Sequence, residues 1–339
     1  MERPAFSLRR RVLSPPTLVS FALALAIIFF LVSRFSIDLG ATGETVRRSN
    51  PLLFALALLV HYTTFPFRAA RWRLLLKNAG VVPLPSVAAA SRLILIGWFA
   101  SSVTWFRLGD AYRAYAYAEE SGAPLAQSGG TVLAERVMDV LLVFMLLLGG
   151  LLLLYADTDL RPSQAFLLIG SGLMAASLGL LVAMQLFWKR LAKLLPRRFQ
   201  RAYLGFHQGT MRSFRTLPLV MALGLLGWLS EVGRLYLVVR ATGLDVGFGL
   251  IMFVAVANAL LTAVPLSPGG LGIVEPGIVG LLALALPKEQ AVSVALLDRS
   301  ISYLSIVVFG ALTLLYHQRV TLRKARAPSL PGKGLPPRL

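Results

Sequence analysis

Residues 265–275 read Pro265-Leu266-Ser267-Pro268-Gly269-Gly270-Leu271-Gly272-Ile273-Val274-Glu275, interrupting an apolar run with two prolines and three glycines. No helix continues through such a stretch, because proline lacks a donor and glycine adds backbone freedom. The flanks, near 248–264 and 273–286, are apolar enough for a membrane. Irregular backbone persists at membrane depth only when buried in protein or facing a water-filled cavity. The pattern therefore predicts a broken or re-entrant hairpin over Gly249 to Leu286. A half-helix beginning near Gly272 would aim free amides at the occupant of that cavity, which suits an anionic headgroup. The same Pro-Gly-Gly chemistry also suits an ordinary extracellular loop between two full spans.

Gly272 has a counterpart upstream. A gapless shift of 163 residues lays Gly109 on Gly272, Arg71 on Arg234, Gly80 on Gly243, Pro124 on Pro287 and Arg136 on Arg299, and brings Glu135 onto Asp298. Agreement at Gly, Pro and Arg does not follow from shared apolar composition, so the chain is a duplication. Among membrane proteins such duplications are common in transporters, whose halves pack around a central site.

Composition sets the class. Of 339 residues, 57% are hydrophobic and 14% charged, and mean hydropathy is +0.73; soluble domains carry about 25% charged residues. Several runs reach the ~20 residues of a spanning helix, and none alternates like a barrel strand. The fold class is all-α and polytopic. The net charge of +19 sits beside apolar segments, as juxtamembrane charge does, which argues against nucleic acid. The lack of cysteine excludes disulfides and thiol chemistry. His61, His207 and His317 show no ligand spacing, so no metal is expected. Nucleotide-binding and nucleophile-elbow patterns do not occur, so neither a cofactor nor enzymatic activity is expected.

Topology follows from charge. Apolar runs fall near 15–33, 51–67, 86–104, 126–155, 163–188, 217–239, 248–264, 273–286 and 289–316. The first, preceded by Arg3, Arg9, Arg10 and Arg11 and followed by no convincing cleavage site, reads as an uncleaved span. Segment 189–216 carries basic residues and no acid, so it is cytoplasmic, as are the N-terminus and the basic tail. The link 156–162 must then be outside. Counting spans leaves 86–120 starting and ending inside, and 248–287 starting and ending outside. The repeats are therefore inverted, with six full spans and two hairpins, Ser86 to Glu120 and Gly249 to Leu286. The expected organisation is 1–48, arm and first span; 49–162, repeat 1; 163–213, connecting span and basic linker; 214–318, repeat 2; and 319–339, basic tail. The expected location is the inner (cytoplasmic) membrane, with both termini cytoplasmic.

Glu135, Arg136 and Asp139 lie about ten residues inside their span, roughly 15 Å deep. Charges there cost about 2.5–3.5 kcal/mol each, so they should face protein or water and pair. Arg136 can meet Asp139 at i, i+3, which leaves Glu135 for Arg299 or Arg113. The repeat supplies Asp298 and Arg299 at the same depth. Candidate cavity residues are Arg113, Glu135, Arg136, Asp139, Ser267, Gly269, Gly270, Glu275, Asp298 and Arg299. An ion-pair network that fixes helix packing is the competing reading, compatible with the first. The cluster Arg68, Arg71, Arg73 and Lys77, with Arg197 and Arg198, is expected at the membrane surface, marking topology first and touching the phosphates of anionic phospholipids second.

Gly109-Asp110-x-x-Arg113, Glu135-Arg136-x-x-Asp139, the interrupted stretch from Pro265 to Glu275, and Arg299 together resemble the integral-membrane region of lysylphosphatidylglycerol synthetases, over roughly Leu18 to Leu315. This flippase-like family includes stand-alone proteins linked to glycolipid, polyprenyl or hopanoid pathways. The resemblance implies movement of a lipid with a polar, aminoacylated or glycosylated headgroup between leaflets through a central cavity. Its separate soluble domain makes the lipid, and only about twenty residues follow the last span here, so transferase activity is not expected. Where the family often has a proline in the first repeat, this chain reads Thr104-Trp105-Phe106-Arg107. The implied partners are membrane lipids and a lipid-modifying enzyme, and homo-oligomerisation is compatible with the pattern. The alternatives are a non-transporting accessory that presents a lipid to a glycosyltransferase or similar enzyme, and a membrane-embedded lipid-linked transferase.

Overall fold

The computed structural model of the protein describes residues 39–104, 108–157, 160, 162–263 and 267–326. The expected first span, residues 105–107, Pro265, Leu266 and the end of the tail lie outside them. All regular structure among the described residues is helical. The elements are α1 (Leu39–Arg48), α2 (Pro51–Ala79), α3 (Val87–Val103), α4 (Gly109–Ser121), α5 (Leu125–Asp157), α6 (Ala165–Leu194), α7 (Arg197–Arg212), α8 (Leu217–Ala241), α9 (Phe248–Ala263), α10 (Val274–Leu282), α11 (Lys288–Arg299) and α12 (Ile306–Arg326). A 3-10 turn joins α7 to α8, another covers Pro268–Gly270, and a π-helical turn joins α11 to α12.

Local chemistry sets the helix ends. Asn50 caps α2 by accepting from the amides of Leu52 and Leu53, and Pro51 occupies the first position, where no donor is needed. Gly80, at φ 78°, ends the helix and returns its amide to Lys77 O. Ser86 caps α3 through the Ala89 amide. Five helical stretches are long and apolar enough to cross a membrane: Pro51–Ala79, Leu125–Ala156, Ala165–Leu194, Arg197–Ala241 and Lys288–Gln318. Between them come two pairs of shorter helices, α3 with α4 and α9 with α10, at the positions where hairpins are expected.

The duplication is visible element by element. With the 163-residue offset, α2 corresponds to α8, α3 to α9, α4 to α10, and α5 to α11 with α12. Counterparts α2 and α8 form the most extensive interhelical contact. They run antiparallel: Val60 lies against Gly233, Thr64 against Gly227, Arg71 against Gly224, and Asn78 against Thr216. At the crossing, Thr64 Oγ1 donates to Gly227 O at 3.3 Å, between two residues 163 positions apart. Equivalent helices antiparallel about their own equivalent residues are the signature of inverted repeats. The hairpins are exchanged: α9 packs on α5 through Gly150 and Gly249, and α3 packs on α12 through Gly310. Small residues at these crossings let backbones approach, the main source of helix association in lipid.

The correspondence also extends upstream of 49 and 214. Helices α1 and α7 are counterparts, and each packs on the start of its partner span. Ser293 Oγ of α11 donates to Thr42 O of α1, while Thr210 Oγ1 of α7 donates to Gly130 O of α5, 3.1 Å away. Residues 130 and 293 are equivalent. Much of the basic linker is thus a docked amphipathic helix.

Candidate functional site

In repeat 1, Arg71 reaches from α2 to two acids of α5, with Nη2 2.8 Å from Glu135 Oε1 and Nη1 2.7 Å from Asp139 Oδ1. Arg113 of α4 donates to Glu135 Oε2 at 2.8 Å and stacks over Trp72, 4.6 Å from its ring centre. Arg136 joins Asp110 at 3.2 Å and Asp139 at 3.1 Å. Repeat 2 reuses the strut: Arg234 donates to Asp298 at 2.8 Å, with the same sequence separation as Arg71 and Glu135. Arg234 also pairs with Glu231, whose other oxygen lies 3.4 Å from His61. Arg299 pairs with Glu275 at 2.7 Å and donates to Gly269 O at 3.0 Å. Both Arg136 and Arg299 therefore hold an acid in the second position of the hairpin's returning helix, α4 or α10.

Between these clusters lies a cavity of about 280 Å³. Arg68, Asp110, Arg136 and Asp139 line it from repeat 1; His61, Glu231, Arg234 and Arg299 complete its charged wall. The named arginines and carboxylates number six each across both clusters, but four arginines and three carboxylates reach the wall. The other flank is apolar, with Val140 and Val143 of α5, Ala255 and Ala259 of α9, and Leu173 of α6. Most of α6 is exposed, and only Gly170 and Met184 along it are buried.

Of the expected cavity residues, Arg136, Asp139, Ser267, Gly269 and Arg299 line it. Arg113, Glu135, Gly270, Glu275 and Asp298 stand behind the wall: Arg113, Glu135 and Asp298 are consumed in buried ion pairs. The Gly272 amide is not open to a ligand, because Glu275 Oε2 accepts it at 2.7 Å and the regular helix begins at Val274. Ser267 Oγ closes the same turn by donating to Leu271 O at 2.6 Å. Glu135 takes Arg113 and Arg71, not Arg299. Arg71 is not a surface residue: it is 0% exposed and spans two acids. Arg73 is half-buried, and Lys77, Arg197 and Arg198 are exposed. Arg68, expected at the surface with Arg71, is instead buried at the cavity, and the cavity residues His61, Trp98, Trp228 and Glu231 were not anticipated. A lone acid inside the apolar span of α8 was the available signal for Glu231.

A polar cavity between inverted repeats, closed by two short-helix hairpins and edged by apolar helices, defines a polytopic membrane protein. The chain belongs to the lysylphosphatidylglycerol synthase TM region family, whose pattern matches residues 17–310. It is 29% identical to a UPF0104 membrane protein of Methanocaldococcus jannaschii, over 67% of this chain and 98% of that one. Another UPF0104 membrane protein, from Methanothermobacter thermautotrophicus, is 25% identical over 86% of this chain and 91% of its own length. Glycosyltransferase AglD of Haloferax volcanii is 24% identical over 92% of this chain and 55% of its own length. This chain thus spans about half of AglD.

Proposed function

We propose that the protein is a lipid translocase that passes a polar headgroup through the central cavity while the acyl chains stay in the bilayer. One observation carries the reading: a charged wall of four arginines and three carboxylates faces an apolar flank that runs out to α6. An ion or sugar pathway has no use for the apolar flank, and a purely structural ion-pair network has no use for the cavity. The inverted repeats supply two related hairpins that could open to opposite faces in turn. The carboxylates at the wall each lie beside an arginine, an arrangement for positioning charge more than for abstracting protons, so the chain is read as non-enzymatic. In this reading the chain sits in the inner membrane with both termini cytoplasmic, an orientation that the basic residues beside the spans support.

The test is movement of fluorescent aminoacylated, glycosylated and unmodified phospholipids in proteoliposomes, for wild type and Ala259→Trp, which fills the apolar flank. Movement by wild type and loss in a folded Ala259→Trp protein is the expected result. Absence of movement across the panel, or movement indifferent to the tryptophan, removes the reading. The similarity to Glycosyltransferase AglD supports the second reading, an accessory that presents a lipid to such an enzyme. Binding of lipid without movement would favour it.

A further inference from the structure

We infer that Arg68 is the seat for a phosphoryl anion, the phosphate of the headgroup, and that Trp98 and Trp228 form its walls. Arg68 is 4% exposed and lines the cavity. Its Nε is fixed on Thr64 Oγ1 at 3.0 Å, one turn back on α2. Among the described residues its terminal nitrogens make no hydrogen bond, and its one ion pair is the loose contact of Nη1 with Asp139 Oδ2 at 3.6 Å. Arg71 at 2.7 Å and the Trp228 indole N–H at 3.2 Å both engage the other oxygen, Oδ1, while Oδ2 pairs with Arg136 at 3.1 Å and accepts no hydrogen bond among the described residues. The guanidinium lies 5.2 Å from the Trp98 ring centre and 5.0 Å from that of Trp228.

A buried guanidinium with its donor fork unspent is costly unless an acceptor arrives. The fork matches two phosphate oxygens, and the indole faces hold its plane while leaving the donor edge open. Trp98 lines the same wall as Arg68. The repeat supports a specific role: the position equivalent to Arg68 is Glu231, so the cation belongs to one half only. Arg71 and Arg234, by contrast, are arginine in both halves and are spent on struts. The proposal rests on the translocase reading for the ligand's identity as a lipid, but not for the anion site itself.

The experiment is tryptophan-fluorescence titration of the detergent-purified full chain with short-chain phosphatidylglycerol, with diacylglycerol of the same chains, and with inorganic phosphate. Phosphatidylglycerol should give a saturable change and diacylglycerol none. Arg68→Gln should weaken the affinity about 10- to 100-fold, the loss of a charge-assisted pair. Arg68→Lys, which keeps the charge but not the planar fork, should fall between, and it carries the test if the glutamine variant does not fold. Competition by inorganic phosphate would show that the seat accepts the free ion as well; absence of competition would show that it needs the lipid. Equal response to diacylglycerol, no saturable response to phosphatidylglycerol, or unchanged affinity in folded Arg68 variants would overturn the assignment. Phosphate-dependent binding in a protein that moves no lipid would leave the anion seat standing and sink translocation alone.

Discussion

Glu135→Gln is the substitution whose cost the geometry sets most closely. The side chain is 0% exposed and accepts from two arginines on two other helices, each at 2.8 Å. Glutamine keeps the shape, removes the charge, and turns an NH₂ toward one guanidinium. Hydrogen bonds to charged groups contribute about 1.5–3 kcal/mol each, and breaking a buried pair by removing one partner costs about 3–5 kcal/mol. About 4 kcal/mol is therefore expected. At about 2–4 °C per kcal/mol, the unfolding midpoint should fall by roughly 8–16 °C. The strut in repeat 2 sets an internal control: Asp298→Asn leaves Arg234 still paired with Glu231, so its loss should be smaller. In the Glu135→Gln background, Arg71 keeps Asp139 at 2.7 Å, whereas Arg113 keeps only Asp110 at 3.5 Å. Removing that stranded cation with Arg113→Met should restore part of the loss, a coupling that a double-mutant cycle reads directly. Thermal unfolding in one detergent, followed by retention of the monodisperse peak, is the assay. A Glu135→Gln loss below about 1 kcal/mol, or additive effects of Glu135→Gln and Arg113→Met, would refute the view that these charges form one buried unit.

The chain has no cysteine, so Thr64→Cys with Gly227→Cys makes a clean cross-link test. A Cβ at 227 would lie 3.5 Å from Thr64 Oγ1, and oxidation should join α2 to α8, seen as two linked fragments after cleavage between them. Gly109→Ala should disrupt the first hairpin, because the added methyl would fall on the carbonyl of Gly97; lower yield of folded protein and loosened protease protection over 86–121 are expected, while Gly172→Ala, helical and with open space around it, should fold. Glu275→Ala frees both Arg299 and the Gly272 amide, at a cost of about 2–3 kcal/mol, and hydrogen exchange should rise over 267–275 but not over 51–79.

The hairpins, the duplication and its inversion were readable because they depend on local signals: Pro and Gly stop helices, and basic residues mark the inner face. The pairing of charges was less readable. Arg71 sits beside an apolar run with Arg68, Arg73 and Lys77, and composition alone makes the four a topology marker. Helical spacing separates them, since Thr64, Arg68, Arg71 and Leu75 follow at three- and four-residue steps on one buried stripe, whereas Lys77 leaves it. Glu135 was open to two cations by sequence, and only the packing of each returning helix on the next helix of its own repeat shows that Arg113 goes to Glu135 and Arg299 to Glu275. Glu275 looked like a ligand contact because it follows the broken stretch; within the fold it closes that stretch on itself.

The symmetry is kept where it bears load on the scaffold and broken where it faces the cavity. Arg71 and Arg234 hold the same strut to Glu135 and Asp298, and Arg136 and Arg299 each hold an acid near the start of the returning hairpin helix, although Asp110 and Glu275 are not at equivalent positions. At the wall, His61, Arg68, Asp110 and Asp139 correspond to Gly224, Glu231, Ile273 and Ser302. Two identical inverted halves would offer a ligand the same groups from either face, with no preferred orientation. Here the unspent guanidinium and one of its indole walls come from repeat 1, and the other indole, Trp228, crosses from repeat 2 to anchor on Asp139. A headgroup bound at Arg68 therefore has one orientation in the cavity, and the two hairpins, although built alike, are not equivalent to it. In the translocase reading, the duplication would supply two related gates, and its breakage at these positions would let the headgroup tell one from the other.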